Sequence, residues 1–191
     1  MTAAEPLRPD IARELIDRAT KAAARRDKRV RNHLDSVQLG QHRHADHADT
    51  KVLRRILAEH DWPGHRLVGP DGARAAWSLA LHADDAPDFQ RAATTLLERA
   101  VQEDDARIQH WAHLYDRALI NSGRSQEFGT QLVLIAAKVE LCPLRVAGSL
   151  DQLRDSVGLP PIAVALETVR RRFATDRPAG DSATVVLAEV A

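Results

Sequence analysis

Between Pro9 and about Leu34, Ile11, Leu15, Ile16, Ala19, Ala22, Ala23 and Val30 recur at intervals of three, four and seven. This spacing predicts an amphipathic helix whose other face carries Arg18, Lys21, Arg25, Arg26, Lys28, Arg29 and Arg31. The stretch from Ser36 to His47 loses the period and ends in a histidine run, which reads as a loop. A second helix is expected from about Thr50 to His60, burying Val52, Leu53, Ile56 and Leu57, with Asp49 or Thr50 as its cap. Asp61-Trp62-Pro63-Gly64 stops it, because the residue before a proline avoids helical geometry. Asp71 then caps a third helix through Trp77 and Leu81 that is apolar nearly all round. Pro87 opens a fourth, with Phe89, Ala93, Leu97 and Ala100 on its stripe. A fifth runs from about Asp105 to Asn121.

After Asn121-Ser122-Gly123 the pattern changes. Leu132-Val133-Leu134-Ile135 and Val139-Glu140-Leu141-Cys142 are short runs that flank Ala136-Ala137-Lys138, which predicts a hairpin. Ser149 caps a short helix that stops at Gly158, and Pro160-Pro161 opens a last one through Phe173. The expected fold is therefore a single, mainly α globular domain with a small β hairpin near residues 131–142. Its parts are a basic helix over 1–35, a His-rich loop over 36–48, a core over 49–175 and a flexible tail over 176–191.

Composition narrows the function classes. The 27 basic and 27 acidic residues cancel, so no global field steers the protein onto nucleic acid or an anionic bilayer. The single cysteine, Cys142, excludes an intrachain disulfide and fits a reducing compartment. No basic-then-apolar leader and no apolar run of about 20 residues is present, so a cytoplasmic location without membrane attachment is expected. The P-loop, G-x-G-x-x-G and G-x-S-x-G patterns are missing too, and no cofactor is implied.

Three polar groupings carry candidate chemistry. His42, His44, Asp46 and His47 form an H-x-H-x-D-H string that resembles the metal-binding signature of metallo-β-lactamase-type hydrolases. Such a string supplies imidazoles and a carboxylate to metals that activate a hydroxide. That superfamily needs a strand-rich sandwich, whereas this chain reads as helical. His82 ends the third helix beside Asp84 and Asp85, which either orient its imidazole or cap the next helix. Asp116 and Arg117 interrupt the apolar stripe of the fifth helix as an ion pair or a ligand clamp. The segment Gly123 to Gln131 adds Arg124, Gln126 and Gln131, which either read a polar molecule or satisfy backbone groups at the strand edge.

Ordered landmarks also run through the chain: His60-Asp61-Trp62-Pro63-Gly64, Leu67-Val68-Gly69, Ala75-Ala76-Trp77, His82-Ala83-Asp84 and Phe89-Gln90. They continue with Leu114-Tyr115-Asp116-Arg117, Gly123-Arg124-Ser125-Gln126, Phe128-Gly129-Thr130-Gln131 and Gly158-Leu159-Pro160-Pro161. From about Thr50 to Leu166 the chain thus resembles an uncharacterised bacterial family, domain of unknown function 6624. It departs from that pattern at Asp61, where the family has Gly, at Leu81, where it has Gln, at Ser125, where it has Pro, and at Phe128, where it has Tyr. The resemblance leaves the His-rich string in a spacer ahead of the matched region and implies no activity.

The leading expectation is that His82, Asp116, Arg117, Arg124, Gln126 and Gln131 line one pocket for a small polar or anionic molecule, with His82 as the catalytic proton carrier. The first alternative is a non-enzymatic accessory protein whose first helix and Arg170-Arg171-Arg172 meet an acidic protein partner. The second is a metal-dependent hydrolase built on His42, His44, Asp46 and His47.

Overall fold

The structure, a computed structural model, describes residues 5–30, 35–135, 138–146, 148–175 and 185–188. Its elements are α1 (Pro9–Val30), α2 (Ser36–His60), α3 (His65–Leu81), α4 (Pro87–Gln102), α5 (Ile108–Asn121), β1 (Gln131–Ile135), β2 (Lys138–Leu141), α6 (Leu150–Ser156), α7 (Ile162–Thr175) and β3 (Val185–Ala188). The fold is mainly α with a small antiparallel sheet, as the apolar spacing predicts. The chain divides into two compact units, one within residues 1–29 and 33–107, the other within 30–32 and 108–191.

In the first unit, Leu15, Leu53, Ile56, Ala76, Ala80, Leu81 and Leu97 are buried at the predicted stripe positions of α1 to α4. The expected loop over 36–48 is instead the first half of α2. A capping box starts that helix: the Gln38 N–H donates to Asp35 Oδ1 at 2.8 Å, and the Asp35 N–H donates to Gln38 Oε1 at 3.1 Å. The apolar period fails here because this half of α2 is held by carboxylates facing the arginines of α1. Asp49, read as a cap, is one of them and is buried.

Helix α3 also starts differently from its expected form. Gly69 has φ 71° and ψ 173°, which breaks the helix, and Pro70 restarts it, so Asp71 lies inside the first turn and is not its cap. Asp105 holds the front end of α3. Its backbone carbonyl accepts from His65 N at 2.9 Å and its Oδ1 from Arg66 N at 2.7 Å. At the far end, the buried Gln90 amide of α4 donates to the carbonyls of Ala80 (3.2 Å) and Leu81 (3.1 Å). The N-cap of α4 is Ala86, without a side-chain bond, so Asp84 and Asp85 are not its caps.

Asp61 adopts φ 57° and ψ −148°. That region suits glycine and costs other residues about 1–3 kcal/mol. Asp61→Gly is therefore expected to raise stability by about 1–2 kcal/mol, read as a higher urea midpoint at unchanged slope. An unchanged or lower midpoint sinks this account of the turn.

In the second unit the sheet order is β2-β1-β3. Leu132 pairs with Leu141 and Leu134 with Val139 in the predicted hairpin, and Val133 pairs with Val186 of β3. β3 lies in the segment read as a tail, of which residues 176–184 and 189–191 fall outside the described residues. Leu132, Val139 and Val169 form one apolar cluster; Ala112, Phe128, Val157 and Leu159 form another beside Trp111 and Tyr115. Helices α5 and α6 end in matching motifs at Gly123 (φ 71°) and Gly158 (φ 66°). Arg124 N returns to Leu119 O and Leu159 N to Arg154 O, both at 2.9 Å. Gly123, after which the sequence pattern changes, is thus a helix stop.

Candidate functional site

A polar cleft of about 60 Å³ lies in the first unit, among α1, α2 and the end of α3. It grows from a ladder of charges between the first two helices. Arg18 Nη1 meets Asp49 Oδ1 at 3.0 Å and Arg25 meets Asp46 Oδ1 at 3.0 Å. Arg25 also pairs with Asp49, and Arg29 with Asp46. Three of the seven cations on α1 are thereby tied to α2, and Lys21 pairs with Asp17 at 2.7 Å.

Arg26 differs from its neighbours. It is half-buried, and among the described residues its side chain meets no carboxylate within ion-pair distance; its Nη2 donates to Ser78 Oγ of α3 at 3.3 Å. Burial lowers the affinity of this guanidinium for its proton, and Asp46 only partly restores it. Arg29 brings a second donor, since its Nε is buried without a hydrogen-bond partner among the described residues. His82, half-buried at the C-cap of α3, lines the same cleft with Asp84. Asp84 Oδ1 accepts from Gln90 Nε2 at 3.4 Å, so the amide that closes α3 also steadies this carboxylate.

The second unit holds a different polar constellation, fully enclosed. Asp116 on α5 accepts from the backbone N–H groups of Glu127 (2.8 Å), Phe128 (3.1 Å) and Thr130 (3.0 Å), and from Thr130 Oγ1 (2.9 Å). Burial pushes its carboxyl above the ordinary carboxylate value, against the pull of those donors. Gln126 Nε2 donates to Gln131 O and Cys142 O, both at 2.9 Å, while its Oε1 accepts from Gln131 N at 2.8 Å. Gln131 Nε2 donates to His113 O at 3.1 Å, and Arg117 Nη1 reaches Gln131 Oε1 at 3.4 Å. The buried Arg154 of α6 donates to Pro160 O at 2.6 Å and Phe128 O at 2.8 Å. Together these bonds clamp the segment 126–131 between α5, α6 and the hairpin.

Of the residues predicted to share one pocket, Asp116, Arg117, Gln126 and Gln131 thus meet in this buried network, Arg124 is exposed, and His82 belongs to the first unit. The structure does not gather the His-rich string. His42, His44, Asp46 and His47 point around α2 at helical spacing, Asp46 is held by Arg25 and Arg29, and among the described residues no three His, Cys, Asp or Glu side chains are placed to hold a metal ion. Cys142 is buried, and burial raises its thiol above the ordinary value, which weakens it as a nucleophile. Arg171 of the C-terminal arginine run pairs with Glu167 at 2.7 Å.

Sequence reasoning missed Arg26, Arg29, Asp49 and Arg154. The signal for the first three was the match between an arginine-rich face on one helix and Asp46 and Asp49, three apart, on the next. Arg154 sits in a short helix with ordinary surface spacing and gave no local signal.

A mainly α chain with a small antiparallel sheet and a charged cleft is the class these features define. The pattern of a family of unknown function, DUF6624, matches residues 9–173, so the chain belongs to that family. The match begins at α1 and includes the His-rich segment, so the family boundary lies well ahead of the expected residue 49. No curated protein and no solved structure matches the chain. None of the described helices is long and apolar enough to cross a membrane.

Proposed function

We propose that the protein binds a small polar molecule in the cleft among α1, α2 and α3, with His82 as the group that exchanges a proton with it. The observation that carries this reading is the lining itself: a cleft of about 60 Å³ bounded by Arg26, Arg29, Asp46, Asp49, His82 and Asp84. Six ionisable side chains around so small a volume exclude an apolar ligand and suit one with several hydrogen-bonding atoms. An imidazole is the side chain that titrates near neutral pH without special tuning, which makes His82 the natural proton carrier of the set.

The buried network around Asp116 has a different part in this reading. Its carboxylate and carboxamides serve the backbone of segment 126–131, and ligand contacts are left to the cleft. The test is a thermal-shift screen of the full-length protein against small polar metabolites, repeated on His82→Ala. Hits whose shift falls by half or more in the variant support the reading. A screen whose hits are all insensitive to His82, or one with no hits, overturns it.

A further inference from the structure

We infer that the ligand class of this cleft is an oxyanion, a phosphoryl or carboxylate group seated on the guanidinium of Arg26. The inference rests on the cleft being the binding site and adds the chemistry of what it holds. Of the two arginines that line the cleft, Arg29 is held in the charge ladder and Arg26 is left out of it among the described residues. Asp46 is shared by Arg25 and Arg29, and Asp49 by Arg18 and Arg25, so both carboxylates are neutralised within the seam. Arg26, one residue along from Arg25, reaches only the Ser78 hydroxyl among the described residues.

A half-buried cation facing a hydroxyl alone is poorly compensated, because desolvation penalises the charge and a neutral partner returns little of it. Burial does outweigh the nearby carboxylates in its effect on this guanidinium. Arg29, on the same cleft, adds a buried Nε–H with no partner among the described residues. An oxyanion supplies what both donors lack: negative charge for Arg26 and an acceptor oxygen for Arg29 Nε. Planar guanidinium forks match carboxylate and phosphate oxygens for this reason. Asp84 is the third carboxylate on the cleft. It is exposed and faces the Gln90 amide, where solvent screens its repulsion.

The test titrates inorganic phosphate, malonate and glycerol calorimetrically into the full-length protein, Arg26→Met and His82→Ala, at matched ionic strength. Saturable binding of phosphate or malonate to the unaltered protein is expected, weakened about tenfold or more by Arg26→Met. Without added anion, Arg26→Met should unfold at a urea concentration no lower than the unaltered protein, because methionine keeps the aliphatic stem and removes a desolvated charge. Preference for phosphate assigns a phosphoryl group, and preference for malonate a carboxylate. Anion binding that survives Arg26→Met intact overturns the inference, as does failure of both anions to bind. Glycerol binding that is lost in His82→Ala, with neither anion binding, also overturns the oxyanion assignment but leaves the cleft as a polar pocket. Binding of any probe that is unchanged in both variants sinks the cleft reading as well.

Discussion

Asp116→Ala is expected to destabilise the protein by about 3–5 kcal/mol, the largest effect of any single side chain outside the apolar core. The reason is the number of donors that one carboxylate serves. Three backbone N–H groups and the Thr130 hydroxyl converge on it inside the second unit, where water does not replace it. Each buried donor left without an acceptor costs about 1–3 kcal/mol. Asp116→Asn keeps one oxygen but turns an NH₂ toward donors, so it should lie close to Ala and well below the unaltered protein. Urea unfolding followed by circular dichroism measures both. A loss under about 1 kcal/mol in Asp116→Ala would mean that the segment holds its conformation without the carboxylate.

The second large effect is acid destabilisation through His113. This imidazole is buried in α5, and burial, reinforced by His110 and Arg154, lowers its pKa from 6.5 to about 3. In the unfolded chain it takes up a proton as the pH falls past about 6.5, while in the folded chain it stays neutral until about 3. The unfolded state therefore binds the extra proton throughout that window, and the stability contributed by the neutral imidazole is lost as the pH falls from 6.5 toward 3. At full slope the unfolding constant rises about tenfold per pH unit. Measured from pH 7 to pH 4, the unaltered protein should lose stability more steeply than His113→Gln, and the two curves should converge toward acid. Parallel curves would show that His113 is not the proton acceptor that matters.

What each element packs against explains how much of it the sequence discloses. Helices α3 to α5 were legible because they bury leucine, alanine and aromatic side chains, and apolar burial leaves a period of three to four. The first half of α2 was not, because its tertiary partners are arginines, and a carboxylate facing a guanidinium leaves no apolar period to read. β3 was missed because a strand added to an existing sheet needs only four residues and takes its register from β1. His82 stands out in the sequence as an imidazole ending an apolar helix, but the partners expected with it belong to the second unit, and Arg26 was hidden in a run of cations. Only the fold distinguishes it, by pairing its neighbours and leaving it with Ser78. The glutamines of the Gly123–Gln131 segment were noticed for the right reason, an unusual density of carboxamides. What the sequence does not carry is the direction of those amides, which the structure turns onto main-chain groups.

The order β2-β1-β3 also bears on how this chain can be shortened. Residues 9–173 span the family match, yet the strand that covers one side of β1 comes after it, at Val185–Ala188. A truncation placed at the end of the match strips the central strand of a neighbour and leaves a row of main-chain donors and acceptors open to pairing between molecules. For this protein the stretch that defines kinship is shorter than the stretch that keeps its sheet from self-association.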